Sequence, residues 1–265
     1  MGTRSRTPRP RISRPSGQHL LRSEAIASEL VAQVGIDHDD TVLEIGAGTG
    51  RLTRVLAQRA KLVLAVEIDP QFVLTLRRYF GSHPGVRVVE GDILSSRPPT
   101  EPFRAFGNLP FGFGAEILRW LLDDPSSSLT RADLLLQYEV ARKLAAVWPS
   151  TLASWGWLPW WEFALTRHVG RWSFEPPPRV DAGLLSIVRR DPPLLPKERR
   201  PAFVRLLRRA FARSSRPVRG VLAGLVSDRA WRRWARERGL PSSAQARDLD
   251  VFDWLSIFEL LEHRE

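Results

Sequence analysis

Cysteine is absent from the 265 residues, methionine occurs once, tyrosine twice, and only three of the 40 basic residues are lysine. Without thiols the chain has no disulfide framework, no thiolate metal site and no cysteine nucleophile, a composition suited to a reducing cytosol. Long apolar runs are missing as well. None approaches the roughly 20 residues that span a bilayer, and no signal-peptide core follows Met1. The expectation is a soluble, cytoplasmic protein without a membrane partner. The histidines His19, His38, His83, His168 and His263 show no metal-ligand spacing, so no metal centre is expected. What is present is apolar and basic. Hydrophobic residues make up 43% of the chain, enough for one large domain plus a smaller one, and the formal net charge is +11.

The charge is unevenly placed. Residues 1–22 hold six arginines and no acid, residues 23–190 carry a net −1, and residues 191–265 a net +6. The 13 arginines and two acids of residues 199–238 equal the charge of the whole chain. A neutral middle between basic ends is the electrostatic footprint of a protein that grips a polyanion outside its main globule. A biased use of arginine over a solvated surface would give the same totals.

The opening stretch mixes Arg, Pro, Ser and Thr without apolar periodicity, so residues 1–15 read as a basic, disordered arm. Pro8, Pro10 and Pro15 spoil the amphipathic helix that a transit peptide needs. Ile26, Leu30, Val31 and Val34 have helical spacing, with Gly35 at a stop position. Strands then alternate with helices: Thr41–Ile45, Leu62–Glu67, Val86–Glu90, Phe103–Phe106 and Leu134–Leu136, with helices at Leu52–Ala60, from Pro70, and around Ile117–Leu122. That rhythm implies parallel βαβ units and an open sheet covered on both faces. Trp161–Val169 and Gly183–Val188 leave no room for a crossover helix and read as an antiparallel pair at one edge. Asp191–Pro196 reads as a linker, and Phe203, Leu206, Leu207, Ala210 and Phe211 open a helical, Arg-rich segment. The organisation is therefore an α/β domain at 16–190 and a small, all-helical domain at 191–265.

Four strand ends carry ligand-type residues. Glu44-Ile45-Gly46-Ala47-Gly48-Thr49-Gly50 joins strand to helix through glycines that let backbone approach a ligand. Its spacing differs from the dinucleotide fingerprint and resembles the cofactor loop of class I (Rossmann-like) S-adenosylmethionine-dependent methyltransferases. Glu67, about twenty residues on, can accept the hydrogens of a ribose diol, and Asp92 can take an adenine amino group. Asn108-Leu109-Pro110-Phe111 has the form of a turn that presents an exocyclic amine to a methyl donor. Such an amine is a poor nucleophile because its lone pair is delocalised. The Asn108 side-chain oxygen and the Leu109 carbonyl can hold its two hydrogens and draw the nitrogen toward tetrahedral geometry. Pro110 fixes the turn, Phe111 offers a stacking face, and in-line transfer needs positioning more than a strong base. Taken singly, each feature could be an ordinary strand end or tight turn.

Together with Ser16-Gly17-Gln18-His19-Leu20-Leu21 and Phe174-Glu175-Pro176-Pro177-Pro178-Arg179-Val180-Asp181-Ala182, these motifs stand in the order found in ribosomal RNA adenine-N6 methyltransferases, and the chain most resembles their erythromycin-resistance branch. The resemblance spans residues 16–190. It implies S-adenosylmethionine as cofactor, 23S rRNA as partner, and resistance to macrolides, lincosamides and streptogramin B. It further implies that His19, Leu21, Gly46, Glu67, Asp92 and Asn108 bind the cofactor. Asn108, Leu109 and Phe111 would be catalytic, Phe111 and Phe174 would pack on the target base, and the enzyme would be a monomer. His19 stands where the family usually has Asn, and Phe111 lacks the hydroxyl of the commoner Tyr.

Arg205, Arg208 and Arg209 are expected to contact RNA phosphates. The tryptophans Trp148, Trp155, Trp157, Trp160 and Trp161 read as core or edge packing. Three other readings stand beside this one: DNA adenine methylation, disfavoured because no obvious target-recognition insert is found; a small-subunit (16S-type) rRNA adenine dimethyltransferase; and a non-catalytic nucleic-acid-binding relative of the fold. The last calls for a decayed cofactor loop, which is not what the glycines show.

Overall fold

The alternation of strands and helices builds one seven-stranded sheet in a computed structural model that describes residues 18–146, 151–212, 216–241 and 243–262. The basic arm, Trp148 and His263 lie outside these residues. In chain order the elements are β1 (Leu20–Leu21), α1 (Glu24–Val34), β2 (Thr41–Ile45), α2 (Arg51–Ala57), β3 (Leu62–Glu67), α3 (Pro70–Phe80), β4 (Val86–Glu90), β5 (Phe103–Asn108), α4 (Gly114–Leu122), β6 (Leu129–Gln137), α5 (Tyr138–Leu144), α6 (Leu152–Trp157), β7 (Trp161–Val169), β8 (Phe174–Glu175) and β9 (Ala182–Arg189). Beyond them come α7 (Arg200–Phe211), α8 (Val218–Val221), α9 (Asp228–Glu237) and α10 (Val251–Glu262).

The sheet order is β4-β3-β2-β5-β6-β9-β7. The first five of these strands run parallel, and β9 enters antiparallel between β6 and β7. Helical connections run outward from β2 in both directions, so the strand order reverses between β2 and β5. A crevice at the carboxyl ends of the strands follows at that point. The antiparallel pair forms as its spacing implies, with β7 as the edge. Leu134–Leu136 proves to lie in the C-terminal half of a nine-residue strand, and the helix read to Ala60 stops at Ala57, after which Arg59 and Ala60 donate back to the Leu56 carbonyl.

Strand alternation sorts the core into two layers. Val42, Val63, Ala65, Phe106 and Leu135 pack under α1, α2 and α3; Leu43, Ile45, Val66, Leu134 and Leu136 face the other way, toward α4 and α5. That second layer is continuous with Trp155, Trp157 and Trp161, and through them with Phe203, Leu207, Trp254 and Phe258 of the helical segment. The described tryptophans of the local concentration, Trp155, Trp157, Trp160 and Trp161, are all buried. α1 is held by a Ser23 cap at its start and by left-handed Gly35 at its end. Arg104 on β5 reaches back to the Val34 and Gly35 carbonyls and to Asp40 and Asp133, pinning that helix end to the sheet.

Candidate active site

At the switch point, the carboxyl ends of β2, β3, β4 and β5 open into a cavity of about 890 Å³, its mouth included, lined by Gly46, Gly48, Glu67, Asp92, Asn108 and Phe111 among others. Gly46 and Gly48 adopt positive φ (74° and 54°), a conformation that favours glycine. Among the described residues, a Cβ on Gly46 or on Gly91 would meet no atom within 4 Å, so each glycine keeps backbone open toward the cavity. At Gly48 a Cβ would come within 2.8 Å of Leu20, which closes over the loop. The Gly46 and Ala47 amides donate to the Val66 carbonyl, which ties the loop to β3.

Glu67 ends β3 almost fully buried, its Oε1 accepting from the Ile68 and Asp69 amides and its Oε2 from the Gly48 amide at 2.8 Å. Three of its roughly four acceptor sites are thereby used, and Oε2 keeps one for a ligand hydroxyl. Asp92 caps the short turn at Ile93–Ser95 by accepting from the Leu94 amide through Oδ1. The glycine loop, the paired carboxylates on neighbouring strand ends and the apolar wall of Ile45, Val66 and Ile93 together suit the methionine, ribose and adenine portions of S-adenosylmethionine.

Beneath the loop lies a group that motif reading passed over as part of the glycine signature. Glu44 is 1% exposed and neither carboxyl oxygen has a hydrogen-bond partner. Burial pushes its pKa up to about 8; the nearby Thr53 hydroxyl holds the rise back and the Glu67 charge adds to it, although no normal-length hydrogen bond to Thr53 forms. The signal was available in principle: alternation along β2 turns residue 44 inward, on the same sheet face as Val42.

Asn108 is the last residue of β5, and its Nδ2 donates to the His19 carbonyl. The amide is thereby oriented with Oδ1 as its free acceptor. The Leu109 amide donates to Leu135 and the Phe113 amide to Pro110, closing the turn that carries Phe111. His19 donates from Nδ1 to the Pro176 carbonyl at 2.7 Å, and its ring lies 5.6 Å from that of Phe111 at a tilt of 44°. Its role is double: backbone to Asn108, side chain beside Phe111.

The structure moves two of the expected residues away from this cavity. Leu21 is 5% exposed and packs into the core under α1; strand alternation presents Leu20 to the cavity in its place, while the Leu21 carbonyl accepts from Arg51. Phe174 is 0% exposed and pairs with Leu21 across the two-residue ladder of β1 and β8, so its ring is a core residue and not a wall for a base. That ladder, and the wall residues Leu20, Phe113 and Ile117, were not read from the sequence. Arg205, Arg208 and Arg209 stand on the exposed side of α7, opposite buried Phe203, Leu206, Leu207 and Ala210; Arg209 donates to the Val221 carbonyl and Arg208 lines a cleft with Arg119 and Lys143.

Comparison with known proteins agrees with this geometry. The family described as ribosomal RNA adenine dimethylase matches residues 11–263. An rRNA adenine N-6-methyltransferase of Bacillus licheniformis is 29% identical over 246 residues, covering 93% of this chain and 86% of the relative. The mycinamicin-resistance protein MyrB of Micromonospora griseorubida is 34% identical over 247 residues, covering 92% and 77%. Among solved structures, the 23S rRNA methyltransferase ErmE superposes with a TM-score of 0.82 at 29% identity, over 92% of this chain and 99% of that one. A dimethyladenosine transferase of Plasmodium falciparum, 22% identical with a TM-score of 0.73 over 92% and 98%, shares the fold. The family match across nearly the whole chain, on a parallel sheet whose strand ends gather the glycine loop, Glu67, Asp92 and the Asn-Leu-Pro-Phe turn at one cavity, establishes that the protein belongs to the ribosomal RNA adenine dimethylase family of S-adenosylmethionine-dependent adenine-N6 methyltransferases.

Proposed function

We propose that the protein methylates N6 of one adenine in 23S rRNA and thereby confers resistance to macrolides, lincosamides and streptogramin B. The large subunit is favoured over the small by the resemblance to ErmE and to the mycinamicin-resistance protein. The observation that carries the chemistry is the orientation of Asn108, whose Nδ2 is committed to His19 and whose Oδ1 is left to accept at the cavity.

In this reading the target adenine leaves its stack and enters beside Phe111, which packs on its face. Asn108 Oδ1 and the Leu109 carbonyl accept the two N6 hydrogens, turning the nitrogen lone pair toward the donor. S-adenosylmethionine supplies an electrophilic methyl on sulfur. The new N6–C bond forms as the S–C bond breaks, and the methylated amine releases its extra proton to water. Glu67 and Asp92 position the nucleoside end of the cofactor. Arg205, Arg208 and Arg209 hold RNA phosphates, and the enzyme works as a cytoplasmic monomer.

Transfer of labelled methyl to rRNA, with primer extension across the large- and small-subunit target adenines, tests the assignment. Asn108→Ala is expected to lower kcat by about 10²- to 10³-fold. Equal labelling by Asn108→Ala and wild type would refute it, and modification confined to small-subunit rRNA would transfer the enzyme to that branch.

A further inference from the structure

Trp172 is a large apolar side chain that packing does not claim. It is 63% exposed, on the short turn Arg171–Ser173 that leads into β8. The turn is firmly held: the Ser173 amide donates to Gly170, the Arg22 amide to the Ser173 carbonyl, and the Arg171 amide to Asp181 Oδ1 at 2.8 Å, while Asp181 Oδ2 is bonded to His168. A rigid turn thus holds an indole out to solvent, with one apolar end and one polar end available to a partner.

Three facts say what covers it. The Arg171 guanidinium lies over the indole ring, 4.9 Å from its centroid, so the platform carries its own cation. Arg22, across the β1–β8 ladder, and Arg179, on the loop that returns to Asp181, are both exposed, so the surroundings suit a polyanion. Beyond the ladder, His19 lines the cavity and is bonded to the carbonyl of Pro176, four residues after Trp172, so Trp172 lies at most about 14 Å of chain from that contact. An aromatic face with arginines beside it is the pattern by which single-stranded nucleic acid is held through base stacking and phosphate contact.

We propose that Trp172 is a stacking platform for an unpaired rRNA base near the target adenine, with Arg171 and Arg22 taking the adjoining phosphates. The inference rests on the rRNA-methylation reading and assigns it a second, non-catalytic base contact, one that positions the substrate.

The test is steady-state methylation of a 23S rRNA hairpin by full-length wild type, Trp172→Ala and Trp172→Phe at several salt concentrations. Loss of one stacked base should raise the RNA KM of Trp172→Ala about tenfold. Trp172→Phe, which keeps a ring, should stay near wild type. The dependence of log KM on log salt should keep its slope, because no phosphate contact is removed. Cofactor affinity and Tm should be unchanged, since the side chain is exposed. An unchanged RNA KM in Trp172→Ala with an active wild type overturns the platform alone, as does an equal loss in Trp172→Phe. A wild type that is dimeric and becomes monomeric in Trp172→Ala would overturn it by making the turn a self-interface. A wild type that methylates no rRNA would overturn the functional reading and this inference with it.

Discussion

Glu44→Gln should make the protein more stable in alkali while leaving it unchanged in mild acid. The carboxyl is buried beneath the glycine loop with both oxygens unpartnered, and its pKa rises from 4.5 to about 8, chiefly through burial. Between those values the folded chain keeps a proton on Glu44 that the unfolded chain has released, so stability falls as pH rises. The contribution is complete below pH 4.5, declines through the interval, and is gone above about 8. The gap corresponds to roughly 5 kcal/mol at most, on the order of 10 °C in Tm for a chain of this size. Glutamine has nearly the same shape and no charge to lose. Thermal unfolding of the cofactor-free protein, followed from about pH 4 to 9 at fixed ionic strength, should therefore show nearly coincident Tm values at about pH 4. Toward pH 8 the wild type should fall progressively below Glu44→Gln. Curves that stay parallel over the whole range would mean that the carboxyl titrates as it does in water, and the argument from burial would be wrong.

Phe174→Ala should cost about 3–5 kcal/mol of stability because the ring is a core residue, whereas Phe111→Ala, at a ring only partly buried against that core, should lower Tm less and raise the RNA KM about tenfold. A Phe174→Ala protein with wild-type Tm and a raised RNA KM would restore Phe174 as a base-packing residue. Replacing Arg205, Arg208 and Arg209 together by Gln should reduce the slope of log binding constant against log salt by about 2 while cofactor affinity holds; an unchanged slope would leave the arginines as surface composition only.

The parts that sequence reading recovered are those written within a single βα unit. The glycine loop, Glu67, Asp92 and Asn108 each follow directly from the strand that places them, and a parallel sheet brings such ends together at one edge. Residues whose environment depends on distant pairing were less legible. Leu20 and Leu21 are two adjacent leucines, and only the antiparallel register with Phe174 and Glu175, more than 150 positions away, decides which faces the cavity and which the core. Phe174 was misplaced for the same reason: a phenylalanine before a proline run reads equally well as a binding wall or as a buried anchor. The length of β6 was underread because Arg131 and Asp133 break its apolar pattern, and these two charges pair with each other inside the sheet.

This division between local and distant contacts runs through the site itself. Its proposed cofactor half consists mainly of strand ends, with Leu20 closing over the glycine loop. Its base half is assembled when the segment around His19 crosses the cavity: the His19 carbonyl orients Asn108, its ring stands beside Phe111, and its Nδ1 reaches Pro176. The β1–β8 ladder that secures this crossing has only two residue pairs and is supported by buried Leu21 and Phe174. Phe174 therefore anchors the strand that holds His19 over the Asn-Leu-Pro-Phe turn, and in the proposed reaction it would act on the target base only through that strand. The contact that sets Asn108 is made by the His19 backbone and does not depend on which side chain stands there, whereas the contacts to Phe111 and Pro176 are made by the imidazole itself. In the proposed reaction, cofactor binding and amine presentation are then assembled by different means: the first chiefly from strand ends, the second only when the clip that carries the His19 carbonyl is laid across them and orients Asn108.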